Sequence, residues 1–191
     1  MASMTVLTLA NQLTLLRMLL IPAFVILVLY GHLGWALVVF ATAGATDALD
    51  GLIARRSGQK TQLGAWLDPM ADKLLLVTTF IVLTLPGLGL VNRLPLWLTV
   101  LIISRDVVIV LTVAIVNLAI GPRTFKPSIY GKAATATYIV TAVVAMLFNY
   151  LGWHSVIFDV CVWSSLGIAV ISALHYIRHA ARIIEDPKAA A

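Results

Sequence analysis

The segment from Thr46 to Lys73 reads TDALDGLIARRSGQKTQLGAWLDPMADK and carries four aspartates inside a strongly apolar part of the chain. Asp47 and Asp50 are three positions apart, and Asp68 and Asp72 are four positions apart. On a helix, either spacing places both carboxylates on one face. A carboxylate in the hydrocarbon of a membrane is costly, so it normally has a partner or a function.

These four carboxylates predict a metal site. They would repel one another unless cations lay between them, and two divalent cations would neutralise their charge. A ligand set made only of oxygen suits Mg2+, Mn2+ or Ca2+ better than zinc. The alternative is helix packing with buried salt bridges to Arg55 and Lys73. The cost of burying charge for packing alone favours the metal site.

The composition is that of an integral membrane protein. Of 191 residues, 61% are hydrophobic and 11% are charged, whereas soluble domains carry about 25% charged residues. The net charge of +5 would suggest a nucleic-acid partner in a soluble protein. Here it indicates loops that face anionic lipid, and no nucleic-acid partner is expected. Cys161 is the single cysteine, which excludes an intrachain disulfide.

Six apolar stretches of membrane-spanning length follow one another along the chain. We predict helices over residues 12–30, 34–57, 63–85, 96–119, 132–150 and 156–179. Glycine and proline punctuate the joins, as in Pro86-Gly-Leu-Gly89 and Gly121-Pro122. The sequence therefore predicts one all-α membrane domain over residues 1–191.

The basic residues predict the orientation of these helices. Nine of them follow the second, fourth or sixth helix or lie near the start of the fifth: Arg55, Arg56, Lys60, Arg123, Lys126, Lys132, Arg178, Arg182 and Lys188. Only Arg93 lies on the opposite side. The positive-inside rule then places both termini in the cytoplasm and opens the aspartate cluster toward it.

The spacing of the central segment resembles the signature D-x-x-D-G-x-x-A-R-x8-G-x3-D-x3-D of the CDP-alcohol phosphotransferase family. All eight positions are met, by Asp47, Asp50, Gly51, Ala54, Arg55, Gly64, Asp68 and Asp72. The first helix, with Asn11-Gln-Leu-Thr-Leu-Leu-Arg17 and Ile21-Pro22, is similar to the phosphatidylglycerophosphate synthase and cardiolipin synthase branch.

The resemblance implies the six-helix fold of that family, assembled as a homodimer. It implies that Asp47, Asp50 and Asp68 bind two divalent cations, Mg2+ or Mn2+. Asp72 would be the general base and could also ligate metal. The remaining signature residues would hold the CDP group: Gly51, Ala54, Arg55 and Gly64. Small residues admit a nucleotide closely, and a guanidinium pairs with phosphate.

Three basic residues fall inside predicted spans. Arg105 should face the bundle, either paired structurally with Asp106 or, with Lys126 and Lys132, holding an anionic acceptor as in family members that use phosphorylated polyols. Lys73 is interpreted as a counter-charge to its neighbour Asp72. Arg17 shares a helical face with Asn11 and Thr14, for which anchoring at the membrane interface and a role in the site are both open.

The implied reaction transfers a phosphatidyl group from CDP-diacylglycerol to an alcohol and releases CMP, in phospholipid biosynthesis. Glycerol 3-phosphate and phosphatidylglycerol are nearly equal as predicted acceptors, ahead of inositol phosphate and serine. A divalent-cation transporter is the alternative from another class, although transport does not require Gly51, Ala54, Arg55 and Gly64 at fixed offsets. A metal-binding subunit without activity is disfavoured because all four aspartates are present.

Overall fold

The computed structural model of the chain describes the backbone of residues 9–57, 62–120 and 128–185, and side chains within residues 12–46, 70–118 and 128–178, apart from 113, 116 and 117. These residues form six helices. They are α1 (Leu9–Leu29), α2 (Leu33–Ser57), α3 (Gln62–Thr84), α4 (Leu96–Ile120), α5 (Ile129–Leu151) and α6 (Val156–Glu185). Each coincides with one of the six predicted helices, so the all-α fold is confirmed.

Glycines end two of these helices in the same way. After α1, the N–H of Gly31 donates to the carbonyl of Val28 and the N–H of His32 donates to that of Leu27. Gly31 has a φ of 77°, which favours glycine because it has no Cβ. Gly152 repeats this C-terminal cap after α5, with a φ of 75°. Glycine thus lies at two of the joins between helices, as the sequence predicted.

Among the described residues, three helical stretches are long and apolar enough to cross a membrane. They are Gln12–Leu29, Ile129–Leu151 and Val156–Arg178, and a shorter apolar stretch covers Leu33–Thr46. Three such stretches fit an integral membrane protein. Six membrane spans, rather than six helices, therefore remain a prediction.

The helices belong to two compact units. The first contains the described residues up to Arg93 together with Ala145–Trp153, and the second contains Leu94–Val144 and the described residues from His154. In the first unit, α1 packs against both α2 and α3. In the second unit, α4 packs against α6. The single domain over residues 1–191 stays a prediction.

Buried polar contacts support each unit. In the first unit, Asn149 and Asn92 bind reciprocally: the N–H of Asn92 donates to Oδ1 of Asn149 at 2.8 Å, and Nδ2 of Asn149 donates to the carbonyl of Asn92 at 3.1 Å. In the second unit, the hydroxyls of Thr141 and Ser165 lie 2.8 Å apart between α5 and α6. Such bonds hold helices together in a membrane, where apolar surface supplies little driving force.

Candidate active site

The signature residues lie on two helices that share α1 as a neighbour. Asp47, Asp50, Gly51, Ala54 and Arg55 belong to α2, and the remaining three signature residues belong to α3. Because α1 packs on both helices, the two halves of the signature are supported by one element. Asp72 is the signature residue whose side chain is described. The other seven side chains lie outside the described residues, so their roles stay predictions.

Asp72 forms an ion pair with Arg17 of α1. Nη1 of Arg17 donates to Oδ1 of Asp72 at 2.6 Å. The arginine side chain is completely buried, whereas 48% of the aspartate side chain is exposed. A short bond between two charged groups is stronger than a neutral hydrogen bond. The carboxylate is thus held at one oxygen while much of its surface stays accessible.

This contact bears on two of the three polar residues of the first helix, since the side chain of Asn11 lies outside the described residues. Arg17 and Thr14 are both fully buried, so they do not anchor the chain at the membrane surface. Sequence reasoning named Arg17 without finding its partner, 55 positions away. Two features of the sequence indicated that Arg17 faces the protein interior. It is a cation inside an apolar span, and the polar residue Thr14 lies three positions before it on the same helix.

The predicted metal centre depends on the donor chemistry of the signature. Within the described part of the chain, no group of three or more His, Cys, Asp or Glu side chains forms a metal-binding cluster. Asp72 contributes an accessible carboxylate there, which is a ligand that Mg2+ and Mn2+ accept. The residue therefore fits the predicted role, and the three partners required for it lie outside the described side chains.

Arg105 lies at a polar junction of the second unit. Its Nη1 donates to Oδ1 of Asp106 at 2.7 Å, and its Nη2 donates to the hydroxyl of Ser172 on α6. A Cβ on Gly131 of α5 would lie 3.6 Å from Nη2, so the guanidinium approaches the backbone of that helix. Nε is buried with no hydrogen-bond acceptor among the described residues.

The start of α5 adds to this junction. The hydroxyl of Ser128 accepts a hydrogen bond from the N–H of Gly131 at 3.0 Å and so caps the helix. Lys132 follows with an exposed side chain. Lys126 lies outside the described residues. The structure thus brings Arg105 and Gly131 together, and the grouping of Arg105 with Lys126 and Lys132 stays a prediction.

Comparison with known proteins identifies the family. A sequence model described as CDP-alcohol phosphatidyltransferase matches residues 7–171, which include all eight signature positions. The chain belongs to the CDP-alcohol phosphatidyltransferase family. The predicted family and class of enzyme are thereby confirmed. The cation-transporter hypothesis has no support in these comparisons.

Proteins named as phosphatidylglycerophosphate synthase and as cardiolipin synthase are among the similar proteins. A Mycobacterium tuberculosis protein named as a phosphatidylglycerophosphate synthase is 34% identical over 184 residues, which cover 92% of this chain and 83% of the relative. A CMP-forming cardiolipin synthase of Streptomyces coelicolor is 35% identical over 168 residues, covering 85% of this chain and 75% of the relative. One of Rattus norvegicus is 34% identical over 198 residues, covering 93% of this chain and 64% of the relative.

Proposed function

We propose that this chain transfers the phosphatidyl group of CDP-diacylglycerol to an alcohol acceptor and releases CMP. The observation that carries the proposal is the family match over residues 7–171, within which the whole signature is present. The relatives named as phosphatidylglycerophosphate synthase and cardiolipin synthase support a place in phospholipid synthesis. Three apolar helices fit an enzyme whose substrate is a lipid.

In this proposal some signature residues bind the divalent cations and the others bind the nucleotide. Asp47, Asp50, Asp68 and Asp72 would hold two divalent cations, Mg2+ or Mn2+. Cations so placed stabilise the charge that develops on transferring phosphoryl oxygens. The other signature residues bind the CDP group: Gly51, Ala54, Arg55 and Gly64. The guanidinium of Arg55 pairs with phosphate, and the small residues allow close approach.

Asp72 acts as the general base. The acceptor hydroxyl attacks the β-phosphorus of CDP-diacylglycerol, the bond from that phosphorus to the oxygen shared with CMP breaks, and the proton of the hydroxyl passes to Asp72. The accessible surface of this side chain supports the role, since a base must reach the proton that it removes. The products are CMP and the phosphatidyl ester of the acceptor.

We infer that the acceptor is glycerol 3-phosphate or phosphatidylglycerol, because relatives of both kinds are similar to this chain over most of its length. Both acceptors carry a phosphate. Arg105 is the proposed ligand for it, with Lys126 and Lys132. The buried Nε of Arg105, which has no acceptor among the described residues, supports this assignment. We further propose a homodimer with both termini and the active site on the cytoplasmic side.

A panel of acceptors offered with CDP-diacylglycerol tests the function. Purified enzyme with Mg2+ or Mn2+ should release CMP with glycerol 3-phosphate or phosphatidylglycerol, and mass spectrometry of the lipid product identifies which. EDTA should abolish release, and added Mg2+ or Mn2+ should restore it. Asp47→Asn should remove the metal-dependent activity, because a charged oxygen ligand is lost. Absence of CMP release with every acceptor would refute the proposed function, and full activity in EDTA would refute the metal site.

A further inference from the structure

We propose that Arg17 is a positioning residue that holds the carboxylate of Asp72 in the orientation needed to accept the acceptor's proton. The inference rests on the proposed function, in which Asp72 is the base. Arg17 stands on α1, outside the eight-position signature. Because Arg17 contacts the carboxylate of Asp72 directly, its effect on the reaction is exerted through that residue.

The burial of the two side chains is unequal, and this asymmetry supports the inference. Arg17 has no exposed surface, whereas Asp72 is 48% exposed. A fully buried cation is costly in an apolar bundle and needs an anionic partner to offset that cost. A carboxylate that served only as this partner would be expected to be buried with it. Asp72 instead offers one oxygen to Arg17 and keeps accessible surface beside it.

The geometry of the contact fixes the carboxylate. Nη1 of Arg17 donates to Oδ1 of Asp72 at 2.6 Å, and the guanidinium is a rigid planar donor that sets the direction of the bond. An aspartate anchored at one oxygen has fewer accessible side-chain rotamers, which keeps the other oxygen in a constant place. Reacting groups held in the productive geometry react much faster than mobile ones.

The arginine is itself held by a packed helix. On the face of α1 that contains Arg17, Thr14, Phe24 and Val28 are also buried, all with at most 1% exposed surface. This face packs within the first unit, where α1 contacts α3. The donor thus comes from a different helix than the carboxylate, and support from rigid elements is what a positioned catalytic group requires.

A double-mutant cycle on Arg17 and Asp72 tests the inference. Arg17→Met keeps much of the side-chain length and removes the donor. It should lower kcat by about tenfold or more, as expected for a lost charge-assisted contact, with the KM for CDP-diacylglycerol changed less than about threefold. In an Asp72→Asn background, measured in single turnovers, the same substitution should have no further effect on rate. Residues that act through one another are not additive.

Arg17→Lys and Asn149→Ala complete the design. Lysine keeps the charge without the planar fork, so Arg17→Lys should recover part of kcat. Asn149→Ala also removes buried polar contacts from the first unit, yet it should lower the melting temperature without changing kcat per folded molecule. If Arg17→Met does not fold, Arg17→Lys takes its place in the cycle.

An Arg17 variant with unchanged kcat would overturn the inference. A rate loss of equal size in the Asp72→Asn background would also overturn it. So would a purely structural effect, in which kcat falls and the KM values for both substrates rise in proportion to a lowered melting temperature. The failure of the proposed function is a separate outcome. It would appear as no CMP release by the unsubstituted enzyme, whatever Arg17 does.

Discussion

At the scale of single residues, Arg105 has two interpretations that one experiment can distinguish: a ligand for the acceptor phosphate, or a structural partner of Asp106. It is bonded to Asp106 and Ser172, and its buried Nε has no described acceptor. If it binds the acceptor phosphate, Arg105→Ala should raise the acceptor KM about tenfold or more, by loss of a charge-assisted contact. The KM for CDP-diacylglycerol should stay nearly unchanged, and Arg105→Lys should recover part of the loss.

Kinetics for both substrates, measured beside a melting curve of the same variant, decide this prediction. A well-folded Arg105→Ala enzyme with an unchanged acceptor KM would remove Arg105 from the binding site. A drop in melting temperature with equal losses for both substrates would show that the pair with Asp106 is structural.

Contacts between residues that are far apart in the sequence were not predicted. The signature was identified by its resemblance to a family pattern, and helix geometry placed its paired aspartates on one face. Adjacency in the sequence predicted Lys73 as a counter-charge of Asp72, and that stays a prediction. The structure adds a contact from Arg17, 55 positions away, which spacing did not indicate. Spacing carries no information about which helices become neighbours. Arg105 and Asp106 pair although adjacent helix positions point about 100° apart, because the arginine side chain is long enough to reach back.

At the scale of helices, apolar run length and glycine predicted the elements well. The fourth helix was predicted over 96–119 and is observed over Leu96–Ile120. The largest difference is at the end of α6, which continues to Glu185 instead of stopping near 179. Ala180, Ala181 and Arg182 are strong helix formers, so the helix extends beyond its apolar part. Likewise, α5 starts at Ile129 rather than 132 because Ser128 caps it.

Side-chain hydrogen bonds between elements are less predictable from sequence. The pair of Asn92 and Asn149 allows the contribution of such bonds to stability to be measured. Asn149→Ala leaves the N–H and carbonyl of Asn92 without their partner in a fully buried position. The free energy of unfolding should fall by about 1–3 kcal/mol, the usual cost of a buried unsatisfied polar group. Thermal unfolding in detergent measures it. Thr42→Val, which removes only an exposed bond to the carbonyl of Val38, should change stability by less than about 0.5 kcal/mol. Equal stability of both variants would contradict the prediction.

For the whole molecule, the distribution of basic residues predicts the orientation in the membrane. Positive charge concentrates in the segments after α2 and α4 and around the end of α6, and the segments on the other side carry Arg93. If both termini are cytoplasmic, the turn between α1 and α2 faces outward, and His32 in that turn is exposed.

Cysteine accessibility can test this orientation, because Cys161 is the single native cysteine. In a Cys161→Ser background, His32→Cys should react with a membrane-impermeant thiol reagent in intact cells. Ser3→Cys and Lys188→Cys should react only after the membrane is permeabilised, since the positive-inside rule places both ends within the cytoplasm. Retained activity of each variant shows that the substitution has not altered the fold. Reaction of Lys188→Cys in intact cells would reverse the predicted orientation and would place the aspartate cluster on the outer side of the membrane.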